Sequence, residues 1–286
     1  MIRDLLTRYN IRPKTERGQH FLDDSAVVEQ MVEAAELEED ETVLEIGAGV
    51  GTITRQLADT AGTVIAYEND AELARVLRSE MDVTASSEGG CSSSNLGENA
   101  ATYDSVEVRE EDALKADVPA FDACVSNIPF HRSSDVLDFL VDRGKRSVLL
   151  VQEEFAQRLV AEPGDDQYSR TTVLANYRFL PVYLDQVPQR SFHPEMDVDA
   201  ALVKLFPRND SFDVDEDWFR TVTKALFTHS GKKTRNAFVD SAHMLDIDDD
   251  TAERLRDELP HAQDRVRTLD VHAFVDIATF LDKSVH

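Results

Sequence analysis

The chain has 286 residues, with 30 basic side chains against 56 acidic ones, a net charge of −26 and 42% hydrophobic residues. That length holds one large domain with a smaller one attached, and the apolar content supports a true core. No apolar run approaches a membrane span, the charged N-terminus is no secretory signal, and two cysteines, Cys91 in a polar loop and Cys124 in a predicted strand, make neither a disulfide framework nor a zinc site.

A reducing cytoplasm fits this composition. The acidic balance by itself argues against a nucleic-acid partner, because phosphates need a basic footprint. The acids are scattered over almost every predicted helix, however, and are not gathered in one tail. That pattern reads as surface-wide adaptation to a salty cytoplasm, where the Debye length shrinks to about 3 Å at molar salt. Net charge therefore does not veto an RNA substrate.

Residues 1–16 are polar and basic-leaning (Arg3, Arg8, Arg12, Lys14) and read as a flexible or docking arm. Gly18-Gln19-His20-Phe21-Leu22 leads into an amphipathic helix over Asp23 to Leu37, with Val27, Val28, Met31, Val32 and Ala35 on one face. His20 has no evident triad partner, so it is not read as a catalytic base.

The stretch from Val43 to Thr54 organises the chain. Val43, Leu44 and Ile46 form a short apolar run typical of a buried parallel strand. It ends in Gly47, Gly49 and Gly51, and Thr52 to Ala58 then reads as a helix. Strand, glycine turn and helix make the first unit of a Rossmann-like α/β fold, which binds ligands at the carboxyl ends of its strands. The third glycine comes too early for a dinucleotide fingerprint, and no lysine followed by Ser or Thr completes a P-loop. Glu45-x-Gly-x-Gly-x-Gly51 resembles the S-adenosylmethionine (SAM) loop of class I methyltransferases. A second predicted strand, Thr63 to Tyr67, ends at Glu68, where a carboxylate can accept both hydroxyls of a ribose.

Residues 84–102 are rich in Ser, Gly, Asn and Glu and read as a surface insertion. A third strand, Val106 to Arg109, runs into Glu110-Glu111-Asp112-Ala113-Leu114, where Asp112 can accept from the adenine amine of SAM. A fourth, Phe121 to Ser126, ends in Asn127-Ile128-Pro129-Phe130. An adenine amine is a poor nucleophile because its lone pair is delocalised into the ring. The Asn127 side chain and a backbone carbonyl near Ile128 can hold its two N–H groups and turn the lone pair toward the methyl donor. Pro129 fixes the backbone, and Phe130 can stack on the base.

Beyond this motif the pattern gives a strand over Ser147 to Val151 and helices over Glu153 to Ala161 and Arg170 to Phe179. Strands near Val182 to Val187 and Ala200 to Phe206 follow. Pro207 to Asp210 reads as a linker, and everything from Asp215 is helical. The expected division is a SAM-dependent methyltransferase domain over 1–207 and a small helical C-terminal domain over 208–286. Asp246 to Asp250 lacks the glycine and glutamate of a metal loop, so no metal site is assigned.

These blocks together resemble the small-subunit ribosomal RNA adenine dimethyltransferases. The likeness runs from Gly18–Leu22 through the Glu45–Thr54 loop, Glu68, Asp112–Leu114 and Asn127–Phe130. It continues in Gln152–Gly164, Tyr168–Val173, Ser191–Pro194 and Phe227–Asn236. The resemblance implies SAM contacts at Gln19, His20, Leu22, Glu45, Gly47, Gly49, Gly51, Glu68, Asp112, Ala113 and Asn127. It implies catalytic roles for Asn127, Ile128, Pro129, Phe130 and Phe192, with Phe192 facing Phe130 across the target adenine. It also implies RNA docking by Lys232, Lys233 and Arg235 of the C-terminal domain.

The implied activity is SAM-dependent dimethylation of two adjacent adenosines near the 3′ end of small-subunit rRNA, coupled to ribosome biogenesis. The small ribosomal subunit would be the partner and the protein a monomer. Met196 and Ala200 stand where the family often has a proline and a serine. Ser230 and Gly231 stand where arginines are common. A ribosome-assembly checkpoint factor, a large-subunit rRNA methyltransferase, and methylation of DNA or small-molecule amines remain as alternatives.

Overall fold

A computed structural model describes residues 2–81 and 105–285. The insertion expected over 84–102, and Cys91 within it, lie outside the described residues. The fold divides into two compact units, Met1–Ala156 with Val182–Phe206, and Gln157–Pro181 with Pro207–His286.

The first unit is built on strands β1 (Phe21–Leu22), β2 (Thr42–Ile46), β3 (Thr63–Tyr67), β4 (Val106–Arg109), β5 (Ala123–Asn127) and β6 (Arg146–Gln152), followed by β7 (Phe179–Val187), β8 (Phe192–His193) and β9 (Ala200–Pro207). Seven of them form one sheet in the order β4-β3-β2-β5-β6-β9-β7. The pairs from β4 to β6 are parallel, and β9 joins β6 antiparallel. Valines, leucines and alanines in β2, β3, β5 and β6 are almost fully buried, as strands covered on both faces require. Chain order reverses between β2 and β5, so the crevice beyond Ile46 and Asn127 is the topological switch point where this architecture binds ligands.

Helices α1 (Ile2–Arg8), α2 (Ser25–Ala35), α3 (Thr54–Ala58), α4 (Ala71–Met81) and α5 (Ser133–Arg143) accompany this sheet. The structure corrects the expectation of a flexible arm over 1–16. Ile2, Leu5, Leu6 and Ile11 are buried against Phe21, Val50, Leu73 and Val76, which packs α1 onto the fold. The apolar stripe of this one short helix is easily outweighed by the basic residues between its members. β1 and β8, also unforeseen, make a two-stranded antiparallel ribbon with Phe21 opposite His193 and Leu22 opposite Phe192.

Helix α6 (Glu153–Val160) leads toward the second unit, which contains α7 (Arg170–Arg178), α8 (Glu216–Phe227), α9 (Thr234–Ser241), α10 (Asp249–Leu255) and α11 (Val271–Val285). The expected boundary after residue 207 falls one residue inside an edge of this unit, and residues 157–181 group with it too. The reason is packing: Val173 and Tyr177 of α7 are buried among Phe219, Val222 and Phe274, and Tyr177 stacks on Phe219 at 4.2 Å between ring centres. A boundary drawn along the sequence has no way to register such a return. No described helix is long and apolar enough to cross a membrane.

Candidate active site

The turn after β2 is shaped by its glycines. Gly47 and Ala48 donate their amides to the Tyr67 carbonyl at 2.8 and 3.0 Å, which ties the turn to the end of β3. Gly49, at φ +61°, donates to Glu68 Oε2 at 2.9 Å. The other Glu68 oxygen accepts from the Asp70 amide at 2.8 Å. Burial raises the Glu68 carboxyl above the ordinary carboxylate range, opposed by these two amides.

Gly51 serves another purpose. Its φ is +89°, and a Cβ there would lie 2.7 Å from Leu77 Cδ1 and 2.8 Å from Met81 Cε. It is a close-packing position against α4 and, unlike Gly47 and Gly49, does not line the cavity.

Glu45 is 1% exposed and accepts the Thr54 hydroxyl at 2.6 Å. Burial drives its pKa from 4.5 to about 8, against the Thr54 hydrogen bond and with help from the Glu68 charge. Its carboxyl therefore braces the start of α3 and is largely neutral at pH 7.

These groups open on a cavity of about 910 Å³. Gln19, His20, Leu22, Glu45, Gly47, Gly49, Glu68, Asp112, Ala113, Asn127, Ile128, Pro129 and Phe130 all border it, so the structure brings together most of the site expected from sequence. Its size is that of small-molecule and cofactor sites. The residues fit SAM: a Glu68 carboxylate for ribose hydroxyls, a Cβ-free Gly49 beside it, and acidic walls at Asp70, Glu111, Asp112 and Asp197 suited to a cationic ligand.

Asn127 stands at the carboxyl end of β5. Its Nδ2 donates to the His20 carbonyl in a long hydrogen bond of 3.5 Å. His20 is held in turn by its ring Nδ1 against the Pro194 carbonyl at 2.8 Å. With the amide nitrogen so engaged, Asn127 Oδ1 is the atom available as an acceptor. The Ile128 amide donates to the Leu150 carbonyl of β6 at 3.3 Å, which fixes the backbone of the motif.

Among the expected catalytic residues, Phe192 stands apart. It is 2% exposed in the hydrophobic core and does not border the cavity. Alternate residues of a strand point to opposite faces, so Phe192 lies with its partner Leu22 and away from Phe21 and His193. Phe192 and Leu22 belong to the core against which Phe130 packs.

Several residues at the site were not foreseen. Asp70 accepts from Lys14 Nζ at 2.7 Å and Gln19 Nε2 at 3.2 Å, which straps the segment before β1 beside the cavity. Arg132 donates to Asp112 Oδ2 at 3.4 Å and to Asp135 Oδ2 at 2.9 Å. Asp112 Oδ1 accepts from the Leu114 amide at 3.1 Å. Met196, Asp197 and Val198 form another wall, with Val198 39% exposed. The signal for Asp70 was its place two residues after Glu68; nothing local pointed to Arg132.

In the second unit the three expected RNA contacts already have partners. Lys232 binds Asp240 at 2.6 Å, Lys233 binds Gln263 at 3.0 Å and Arg235 binds Asp257 at 3.0 Å.

Comparison with known proteins agrees with this geometry. Residues 10–282 match the family described as ribosomal RNA adenine dimethylase. The chain is 40% identical over 260 residues to a Methanopyrus kandleri protein named "Probable ribosomal RNA small subunit methyltransferase A", covering 90% of this chain and 87% of that one. It is 33% identical to a Thermococcus sibiricus protein of the same name, covering 97% and 95%. Among solved structures, it resembles a dimethyladenosine transferase from Plasmodium falciparum with a TM-score of 0.76 and 26% identity, covering 93% and 98%. It also resembles the 23S rRNA methyltransferase ErmE with a TM-score of 0.64 and 25% identity, covering 92% and 99%.

Proposed function

The chain belongs to the ribosomal RNA adenine dimethylase family and is a SAM-dependent rRNA adenine dimethyltransferase, and from that premise we propose its target: two adjacent adenosines near the 3′ end of small-subunit rRNA. We propose further that it acts as a cytoplasmic monomer on the small ribosomal subunit during ribosome biogenesis. The names of the Methanopyrus and Thermococcus relatives support the small subunit over the large one, given their higher identity than the 23S enzyme.

The observation that carries the reading is Asn127, on the cavity that Glu68 and Gly49 border, with Nδ2 turned to His20. Bound SAM supplies an electrophilic methyl group on a sulfonium. Glu68 would hold the ribose of SAM and Asp112 its adenine. Asn127 Oδ1 and the Ile128 carbonyl hold the N–H groups of the target amine and stabilise the positive charge that develops on its nitrogen. Phe130 stacks on the target base, which must leave any helix to reach it. The methylated amine is acidic enough to lose its proton to water, so no strong general base is needed.

The test is methyl transfer from labelled SAM to unmodified small subunits, large subunits, DNA and adenosine in parallel. Transfer to two adjacent adenosines of the small-subunit RNA is expected. Tight subunit binding without transfer would replace this reading with an assembly factor.

A further inference from the structure

A second cavity, of about 410 Å³, lies between α1 and the β1–β8 ribbon, bordered by Arg3, Leu6, Thr7, Asn10, Pro13 and His193 among others. Its chemistry is the reverse of the active site's. The chain carries 56 acidic residues, and acids border the large cavity at Glu68, Asp70, Glu111, Asp112 and Asp197, yet none borders this one.

Its cation, too, is free of any carboxylate among the described residues. Most basic side chains of the first unit are tied to a carboxylate, as in Arg55–Glu80 at 2.6 Å, Arg78–Glu110 at 2.9 Å and Lys204–Glu36 at 2.8 Å. Arg3 is exposed and has no such partner among the described residues. On so acidic a surface, a free guanidinium in an acid-free hollow is a place for an anion.

Position narrows the ligand. His193 borders the small cavity, and its cross-strand partner Phe21 borders the active site. Directly paired residues of an antiparallel ribbon have Cα atoms about 4.5–5.5 Å apart and side chains on one face. The two cavities are therefore neighbours, separated by about one side chain.

We propose that this cavity binds a nucleotide of the single-stranded substrate RNA beside the target adenosine. Arg3 takes the phosphate, the His193 ring and Leu6 or Pro13 take the base face, and the Asn10 amide reads a base edge. Single-stranded RNA is commonly held in this way, by a cation on the backbone and a ring under the base. The proposal rests on the chain's acting on rRNA.

The test titrates a fluorescent single-stranded oligoribonucleotide carrying two adjacent adenosines, by anisotropy across a salt series, with the unmutated protein, Arg3→Gln and Lys145→Gln. Lys145 lies at the amino end of β6, at the opposite edge of the sheet from the cavities, and has no carboxylate partner among the described residues. SAM affinity by calorimetry on the same preparations reports that each variant is folded. Arg3→Gln is expected to weaken RNA binding about threefold to tenfold and to lower the slope of log K against log salt by about 0.7, the share of one phosphate contact. Lys145→Gln is expected to change neither. Arg3→Gln binding like the unmutated protein, or Lys145→Gln losing as much, overturns the proposal. An unmutated protein that methylates no RNA removes the reading on which the proposal rests, whereas methylation by a protein indifferent to Arg3→Gln defeats this inference alone.

Discussion

Gly49 donates its amide hydrogen to Glu68 at 2.9 Å, so the glycine turn and the acidic tip of the neighbouring strand form one element. The same carboxylate also takes the Asp70 amide and retains lone pairs for two ribose hydroxyls. Glu68→Gln keeps the shape and removes the charge. It is expected to weaken SAM binding by about 1.5–3 kcal/mol, the range for hydrogen bonds to a charged group. Calorimetry showing unchanged affinity in the folded variant would take Glu68 out of the cofactor site.

Burial of Glu45 predicts a pH dependence of stability. The folded chain keeps a proton there that the unfolded chain releases above about pH 4.5. This contribution is complete below that pH, declines as pH rises to about 8, and is flat beyond. Melting temperature should therefore fall across this window, and Glu45→Gln, which can still accept from Thr54, should flatten part of the fall. Identical pH profiles for the two proteins would contradict the buried, protonated carboxyl.

Arg132 links the acceptor motif to Asp112, whose carboxylate is proposed to meet the cofactor adenine. Arg132→Gln loses the charge that orients Asp112. It is expected to raise the KM for SAM several-fold while changing kcat less, since the contact serves ground and transition states alike. A loss confined to kcat would place Arg132 in the chemistry.

The net charge of −26 predicts salt dependence. Lowering salt from molar to about 0.1 M lengthens the Debye screening distance from about 3 to about 10 Å and restores repulsion among the acids. The melting temperature is expected to fall. A melting curve indifferent to salt would leave no support for saline adaptation.

Much of this protein was legible in its sequence because the signals are local. The β2 run, the glycine turn, Glu68 and the Asn127 motif each sit at the end of a strand whose apolar pattern marks it. What escaped depends on pairing between distant segments. Phe192 is buried in the core beside its cross-strand partner Leu22, a pairing about which its own neighbours say nothing. Gly51 looks like its two fellow glycines, yet its role is decided by Leu77 and Met81 of a helix far along the chain. The packing of α1 rests on three apolar residues amid charges, and its partners Val50, Leu73 and Val76 lie many residues away.

Asn127 offers the most direct measurement. Its Oδ1 is proposed to stabilise charge that exists only during transfer, so its loss should fall on turnover more than on binding. Single-turnover methylation of unmodified small subunits, at saturating SAM and with subunit binding measured alongside, compares Asn127→Ala with the unmutated protein. The expected result is a rate lower by about 10²–10³, by analogy with loss of one preorganised hydrogen-bonding group, and near-normal subunit binding. Methylation by Asn127→Ala at close to the unmutated rate would contradict the account.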